Sequence, residues 1–202
     1  MNLKLFLAEN PKKYIIFDFD ETLVWMNLPW GLFSEMRHKA LSGIGLDHFD
    51  SHTKRYLDVD AINELVIEHG KKVWDIERQM SEDFELNHLD GYEANNNLFD
   101  FIKQNKEKYT FYIWSSNTDK GIKKILKEES MLEYFEDIIS KDDVELMKPY
   151  PDGFYKLIEN LKEKGKQIPD RDEFLFVGNN PRSDRLAAEQ AGIDFFLWEW
   201  TN

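Results

Sequence analysis

Four short polar clusters hold the residues able to do chemistry, and each lies beyond an apolar run. Asp18, Asp20 and Thr22 follow Tyr14-Ile15-Ile16-Phe17. Ser115, Ser116 and Asn117 follow Phe111-Tyr112-Ile113-Trp114. Lys148 opens Lys148-Pro149-Tyr150-Pro151-Asp152-Gly153-Phe154, at the end of a loop that follows Asp137-Ile138-Ile139. Gly178, Asn179, Asn180, Ser183 and Asp184 follow Phe174-Leu175-Phe176-Val177. Carboxylates in a chain with no cysteine and only 5 histidines suit a hard, oxygen-seeking cation, above all Mg²⁺. A lysine and a hydroxyl beside them suit a phosphate. Acids alone would repel that anion, so a divalent cation is needed to reverse the local sign. A carboxylate at the centre can also attack phosphorus and form an aspartyl-phosphate.

These clusters meet only if the elements carrying them converge. The continuous apolar runs read as strands buried on both faces, with Phe195-Phe196-Leu197 as a short fifth. Helical spacing links Leu98, Phe101 and Ile102, and then Ile122, Ile125 and Leu126. It recurs in Phe154, Leu157, Ile158 and Leu161, with Gly165 as a stop, and in Leu186, Ala187, Ala188 and Ala191, ending at Gly192. Strands alternating with helices predict an α/β fold, a doubly wound, mostly parallel sheet with helices on both faces. Ligands of such sheets bind beyond the carboxyl ends of the strands, where all four clusters would lie.

Residues 24–92 break the rhythm and show no strand pattern. Phe33, Met36 and Ala40 share one helical face; Ile62, Leu65 and Val66 share a second, with Asp60 as expected N-cap and Gly70 as stop; Val73, Ile76 and Met80 share a third. The expectation is an all-helical cap over 24–92, inserted into a core made of 1–23 and 93–202. Trp25, Trp30 and Trp74 are expected to pack inside that cap. His48 and His52 stand four apart without a third ligand of matching spacing, so a surface or packing role is expected for them. Arg182, close to Asp184, is open between a substrate contact and a carboxylate pair.

Composition excludes several classes. The chain has 202 residues, 39 acids against 26 bases, and a formal charge of −13, which argues against nucleic acid and against an anionic membrane surface. Aromatics at 14% are too many for a disordered chain. No apolar run reaches the roughly 18 residues that span a bilayer. The first 13 residues show no basic stretch leading into a long apolar one, so no secretion signal is expected. The expectation is a soluble, cytoplasmic protein that acts on a small phosphorylated metabolite, of open oligomeric state.

The four clusters closely resemble the signatures of the haloacid dehalogenase superfamily of phosphatases and phosphotransferases. An apolar strand followed by Asp-x-Asp-x-Thr is matched by Asp18-Phe19-Asp20-Glu21-Thr22, and a Ser or Thr ending an apolar strand by Ser115 or Ser116. A lysine often followed by Pro-x-Pro is matched by Lys148-Pro149-Tyr150-Pro151, and the acidic fourth signature by Gly178-Asn179 through Asp184. The resemblance implies Asp18 as nucleophile and Asp20 as general acid and base; dehalogenases lack the second acid. It implies Ser115, with the Ser116 backbone N–H, and Lys148 as phosphate-binding groups. It implies Mg²⁺ held by Asp18, the carbonyl of Asp20, Asp184 and Asn179, and a loop steadied by Thr22. Two residues depart from the pattern: Glu21 stands where Gly is usual, with a side chain expected to point away from the site, and Asn179 stands where an acid is usual. The implied function is Mg²⁺-dependent hydrolysis of a small phosphate monoester through an aspartyl-phosphate. Two alternatives stand beside it: a phosphomutase of the same family and a catalytically weak binding protein on the same fold.

Overall fold

Strand β1 (Tyr14–Phe17) carries the first two acids at its end and runs through the middle of a five-stranded parallel sheet. The computed structural model describes residues 2–46 and 59–200, so His48 and His52 lie outside the described residues. On one side of β1 lie β4 (Thr110–Trp114) and then β5 (Phe135–Ile139); on the other lie β6 (Phe174–Gly178) and then β7 (Asp194–Leu197). Every pairing within this sheet is parallel. The winding therefore reverses at β1, and a crevice opens beyond its carboxyl end between β4 and β6.

Alternation along the strands divides the core into two layers. Ile15, Phe17, Phe111, Ile113, Leu175 and Val177 face helices α1 (Leu3–Glu9), α5 (Asn96–Asn105) and α6 (Asp119–Glu128). Ile16, Tyr112, Trp114, Phe174 and Phe176 face α7 (Asp152–Glu163) and α8 (Leu186–Ala191). With both faces covered, the strands have no polar side to present, which explains their unbroken apolar runs. Gly165 and Gly192 end α7 and α8 with φ of 66° and 69°, the left-handed conformation that suits glycine. Helix α1 is an addition to the elements expected from periodicity. It is a short amphipathic segment capped by the Asn2 side chain, and it packs Leu3 and Leu7 on the sheet.

The insertion holds α2 (Trp30–Ser42), α3 (Val59–His69) and α4 (Lys71–Asn87). Leu41, Ile62, Leu65, Val66 and Val73 give them a small core of their own, joined by Met147 from the main body. Three expectations are corrected. The insertion is not helical throughout, because β2 (Val24–Met26) and β3 (Tyr92–Ala94) pair antiparallel as a ribbon at its root. These three-residue strands are too short for a period-two pattern to stand out. Asp60 is not the cap residue but lies in the first turn of α3. Trp25 and Trp30 are exposed, at 44% and 48%, while Trp74 is half-buried and donates its indole N–H to the Val144 carbonyl at 2.5 Å. No helix among the described residues is long and apolar enough to cross a membrane.

Gly153, in the first turn of α7, sets how closely that helix approaches the sheet. A Cβ there would stand 2.0 Å from Trp114 Nε1 and 2.4 Å from Cδ1. That indole is 3% exposed and stacks on Phe176 at 4.9 Å between centroids, so it has nowhere to go. Gly153→Ala gains helix propensity but overfills the layer, and the clash outweighs the gain. We expect a net loss of about 2 kcal/mol, read as a lower midpoint of denaturant unfolding.

Candidate active site

The first acid sits where the β1 ladder runs out. The Asp18 N–H still donates to the Val177 carbonyl at 2.9 Å, which fixes the backbone while the side chain leaves the sheet. The chain then turns sharply, and the N–H groups of Leu23 and Val24 both reach the Phe19 carbonyl. Thr22 is fully buried, and among the described residues its hydroxyl has no hydrogen-bond partner. Its backbone steadies the loop instead, by accepting the Asn95 amide at 2.9 Å.

Lys148 ties the site together. Its ammonium donates to Asp18 Oδ1 at 2.6 Å and to Asp184 Oδ1 at 2.5 Å, and all three residues are buried. Asp184 belongs to a π-helical turn, Pro181–Arg185, and also accepts the Asn180 N–H at 2.9 Å. Gly178 lets it in, since a Cβ there would lie 2.5 Å from Asp184 Oδ2. Burial, and then the charge of Asp184, raise the Asp18 carboxyl to about 6 against the pull of Lys148. Burial lowers Lys148, but Asp18 and Asp184 outweigh it and leave the ammonium firmly protonated.

Asp20 stands two residues on, with its Oδ1 accepting the N–H groups of Met26 at 2.9 Å and Glu21 at 3.1 Å. Burial raises its carboxyl to about 7. The Ser115 hydroxyl donates to Asn117 Oδ1 at 2.9 Å and accepts the Asn117 N–H at 3.1 Å; Ser116 is half-buried. Asp18, Asp20, Ser115, Ser116, Lys148, Asn179 and Asp184 all line one cavity of about 380 Å³, so every residue expected at the site is brought to it. Arg182, left open by the sequence, is exposed at the rim of the same cavity.

The arrangement has relatives. A model of the haloacid dehalogenase-like hydrolases matches residues 15–198, nearly the whole chain. The chain belongs to that family. Pyrophosphatase PpaX of Bacillus thuringiensis (strain Al Hakam) is 25% identical over 199 residues, covering 93% of this chain and 83% of its own. Pyrophosphatase PpaX of Bacillus cereus (strain Q1) is 26% identical over 166 residues, covering 82% and 68%. Among solved structures, a protein of Lactobacillus plantarum assigned as a phosphoglycolate phosphatase superposes with a TM-score of 0.60 at 18% identity, covering 92% of this chain and 86% of its own. YfnB of Bacillus subtilis, solved bound to magnesium, superposes with a TM-score of 0.53 at 16% identity, covering 91% and 85%. The expected hydrolase class holds, since the family is one of haloacid dehalogenase-like hydrolases.

The donor set fits a hard cation. No group of three or more acidic, His or Cys side chains among the described residues is arranged to hold a metal ion. Two buried carboxylates, Asp18 and Asp184, do face the same ammonium, and Asn179 and Asp20 line the same cavity. Mg²⁺ is commonly held by one or two carboxylates, with waters and substrate phosphate completing its shell. Glu21 requires a correction: its side chain does not point away. It lines the cavity and accepts the Asn179 amide at 2.8 Å, so the two residues that depart from the family pattern are partners. Glu21 also adopts φ of 57°, a left-handed backbone that glycine enters more easily.

Sequence reasoning missed a second set of residues in this hydrolase. Glu85 of α4 accepts from Thr118 N, Thr118 Oγ1 and Asn117 Nδ2, and so holds the loop that positions Ser115. Gly121 makes room for it. Acids on a helix usually face solvent, and nothing in the local pattern marked this one. A usable signal was Thr118 before the helix start, a cap whose own N–H also needs a partner.

The raised Asp20 carboxyl gives a stability test. Folded Asp20 keeps its proton up to about 7, whereas the unfolded group releases it near 3.8. The folded state therefore binds more protons between these values, and stability falls as pH rises across that window. Asp20→Asn removes this share of the fall. In EDTA the variant is expected to match wild type near about pH 4 and to exceed it by roughly 2–4 kcal/mol at about pH 8. Denaturant midpoints at the two pH values read the difference, and equal gains at both would contradict it.

Proposed function

We propose that this enzyme is a Mg²⁺-dependent phosphatase that hydrolyses a small phosphorylated metabolite through an aspartyl-phosphate on Asp18. The reading is carried by one observation, the Lys148 ammonium seated between Asp18 and Asp184 with the Asp20 carboxyl beside them near neutrality. A carboxylate next to a fixed cation can receive a phosphoryl group whose oxygens that cation also holds.

In the first half-reaction an Asp18 carboxylate oxygen bonds to phosphorus as the bond to the leaving oxygen breaks, and Asp20 gives that oxygen its proton. In the second, Asp20 takes a proton from water, the water oxygen bonds to phosphorus, and the bond to Asp18 breaks to release phosphate. A group titrating near 7 suits both transfers, each typically worth ~10²–10⁴-fold. Lys148, the Ser115 hydroxyl and the Ser116 N–H hold phosphoryl oxygens and meet the charge that develops on them. Asp18, the Asp20 carbonyl, Asp184 and Asn179 would hold Mg²⁺. When bound, Mg²⁺ supplies positive charge that lets a phosphate approach an acidic site.

The division into a core of 1–23 and 93–202 and a cap of 24–92 is part of this reading, supported by the separate small core of the three cap helices. So is a cytoplasmic setting, which suits a cysteine-free, acidic chain. The pyrophosphatase names of the relatives favour a second substrate chemistry at the same site, cleavage of a phosphoanhydride, in which the leaving oxygen belongs to phosphate rather than to an alcohol.

Asp18→Asn is expected to keep the fold and lower kcat on p-nitrophenyl phosphate by about a thousandfold or more; a variant retaining about a tenth of kcat would overturn the nucleophile assignment. EDTA is expected to stop turnover, and added Mg²⁺ to restore it. Asn179→Asp replaces a neutral oxygen with a charged one and is expected to lower the Mg²⁺ concentration for half activation. An unchanged titration would place Asn179 outside the metal's reach.

A further inference from the structure

The backbone on both sides of Asn179 is pinned. The Gly178 carbonyl accepts the Trp198 N–H at 2.8 Å, and the Asn180 N–H donates to Asp184 Oδ2 at 2.9 Å. Asn179 lines the cavity with Asp18 and Asp184, so what its side chain offers there depends on the sense of its amide. An amide has two unlike ends, an oxygen that can ligate a cation and an NH₂ that cannot, and half a turn exchanges them. Asn180 is no substitute, because its Oδ1 already accepts the Arg182 N–H at 2.9 Å. Glu21 decides the sense at 179. Its Oε2 accepts from Asn179 Nδ2 at 2.8 Å. A carboxylate has no proton to give, so the amide end that meets it has to be the nitrogen. Asn179 Oδ1 is the opposite end, and among the described residues it accepts no hydrogen bond. Glu21 is held in turn. Its N–H donates to Asp20 Oδ1 at 3.1 Å, and its backbone stays at φ of 57° despite the steric cost to a residue with a Cβ.

We propose that Glu21 is a positioning residue for cation binding: its carboxylate fixes the sense of the Asn179 amide, so that Oδ1 rather than Nδ2 is offered to the ion. This rests on the Mg²⁺ part of the proposed function and adds the reason an amide can serve at 179. An acid there needs no such partner, since both of its oxygens ligate. An amide does, because one of its two senses presents protons to a cation. The charged acceptor behind Nδ2 also polarises the amide and makes Oδ1 a better donor to the ion. Outer partners that orient a ligand in this way are typically worth about 10–100-fold in metal affinity.

The test is a cycle of Mg²⁺ affinities, measured by calorimetry on the full chain with the metal alone and no substrate. Glu21→Gln keeps the shape but no longer dictates which end of the Asn179 amide it meets. Glu21→Gly removes the partner and suits the left-handed backbone, which guards against a misfolded variant. Each is expected to weaken Mg²⁺ binding about tenfold. In the Asn179→Asp background the same two substitutions are expected to change the affinity by no more than about twofold, because a carboxylate has no wrong sense to adopt. That dependence on the background is what a general attracting charge or a prop for the loop would not produce. Equal losses in the two backgrounds, or wild-type affinity in Glu21→Gly, overturn the proposal and leave the Mg²⁺ reading standing. A wild-type chain that binds no Mg²⁺ sinks that reading, and the proposal falls with it.

Discussion

One buried lysine between two buried acids is the constraint around which this structure is arranged. Taking an ammonium and two carboxylates out of water costs several kcal/mol per ion, and only close, well-oriented contacts offset it. Lys148 makes those contacts at 2.6 and 2.5 Å, but its partners lie far apart in sequence, at the end of β1 and after β6. The sheet order makes the meeting possible. With β6 beside β1, Asp18 and the Asp184 turn share one end of the crevice, and the loop after β5 brings Lys148 across. Small residues keep the approach open, most directly Gly178 beneath Asp184 and Gly153 against the Trp114 indole that precedes Ser115.

The cap is fastened to the same loops. Asn63 of α3 donates to the Met147 carbonyl at 3.0 Å and accepts the Met147 N–H at 2.9 Å, next to Lys148 in sequence. Glu77 of α4 meets Lys141, and Glu85 of α4 meets Thr118 and Asn117, which in turn holds the Ser115 hydroxyl. The cap thus touches the segments that carry Lys148 and Ser115 through charged or amide groups. Phe33, Met80 and Phe84 add an apolar footing by joining the main core. A change in cap position would act on Lys148 and Ser115 through these contacts.

The sheet was legible because its strands are buried on both faces, which writes an unbroken apolar run for each. The acids at strand ends were legible for a related reason: a charged residue directly after such a run has left the core. Strands β2 and β3 were not, since three residues of half-exposed ribbon carry no period. Trp25 and Trp30 misled because ring size alone says nothing of burial; Trp30 serves the cavity rim instead. Glu77, Glu85, Arg37 and Lys141 were invisible for a deeper reason. Each is a charged residue in a helix or turn, where solvent is the ordinary expectation, and only partners distant in sequence make burial tolerable.

The acids of the site differ in their protonation because their surroundings differ. Asp18 and Asp184 share one ammonium, yet burial and their mutual repulsion still leave Asp18 near 6. Asp20 has two backbone N–H groups and, among the described residues, no such cation, and it stands near 7. A group near a cation is fitted to stay ionised, whereas a buried group without one is fitted to carry a proton, which is the division of labour the proposed reaction needs. The same logic gives the paired departures a meaning. With Asn rather than an acid at 179, the Glu21 carboxylate has an amide to accept from instead of a like charge to repel. A negative group is thereby kept at the cavity edge without adding a further carboxylate beside Asp184. The negative charge of the site is spread over neighbouring loops rather than concentrated in one.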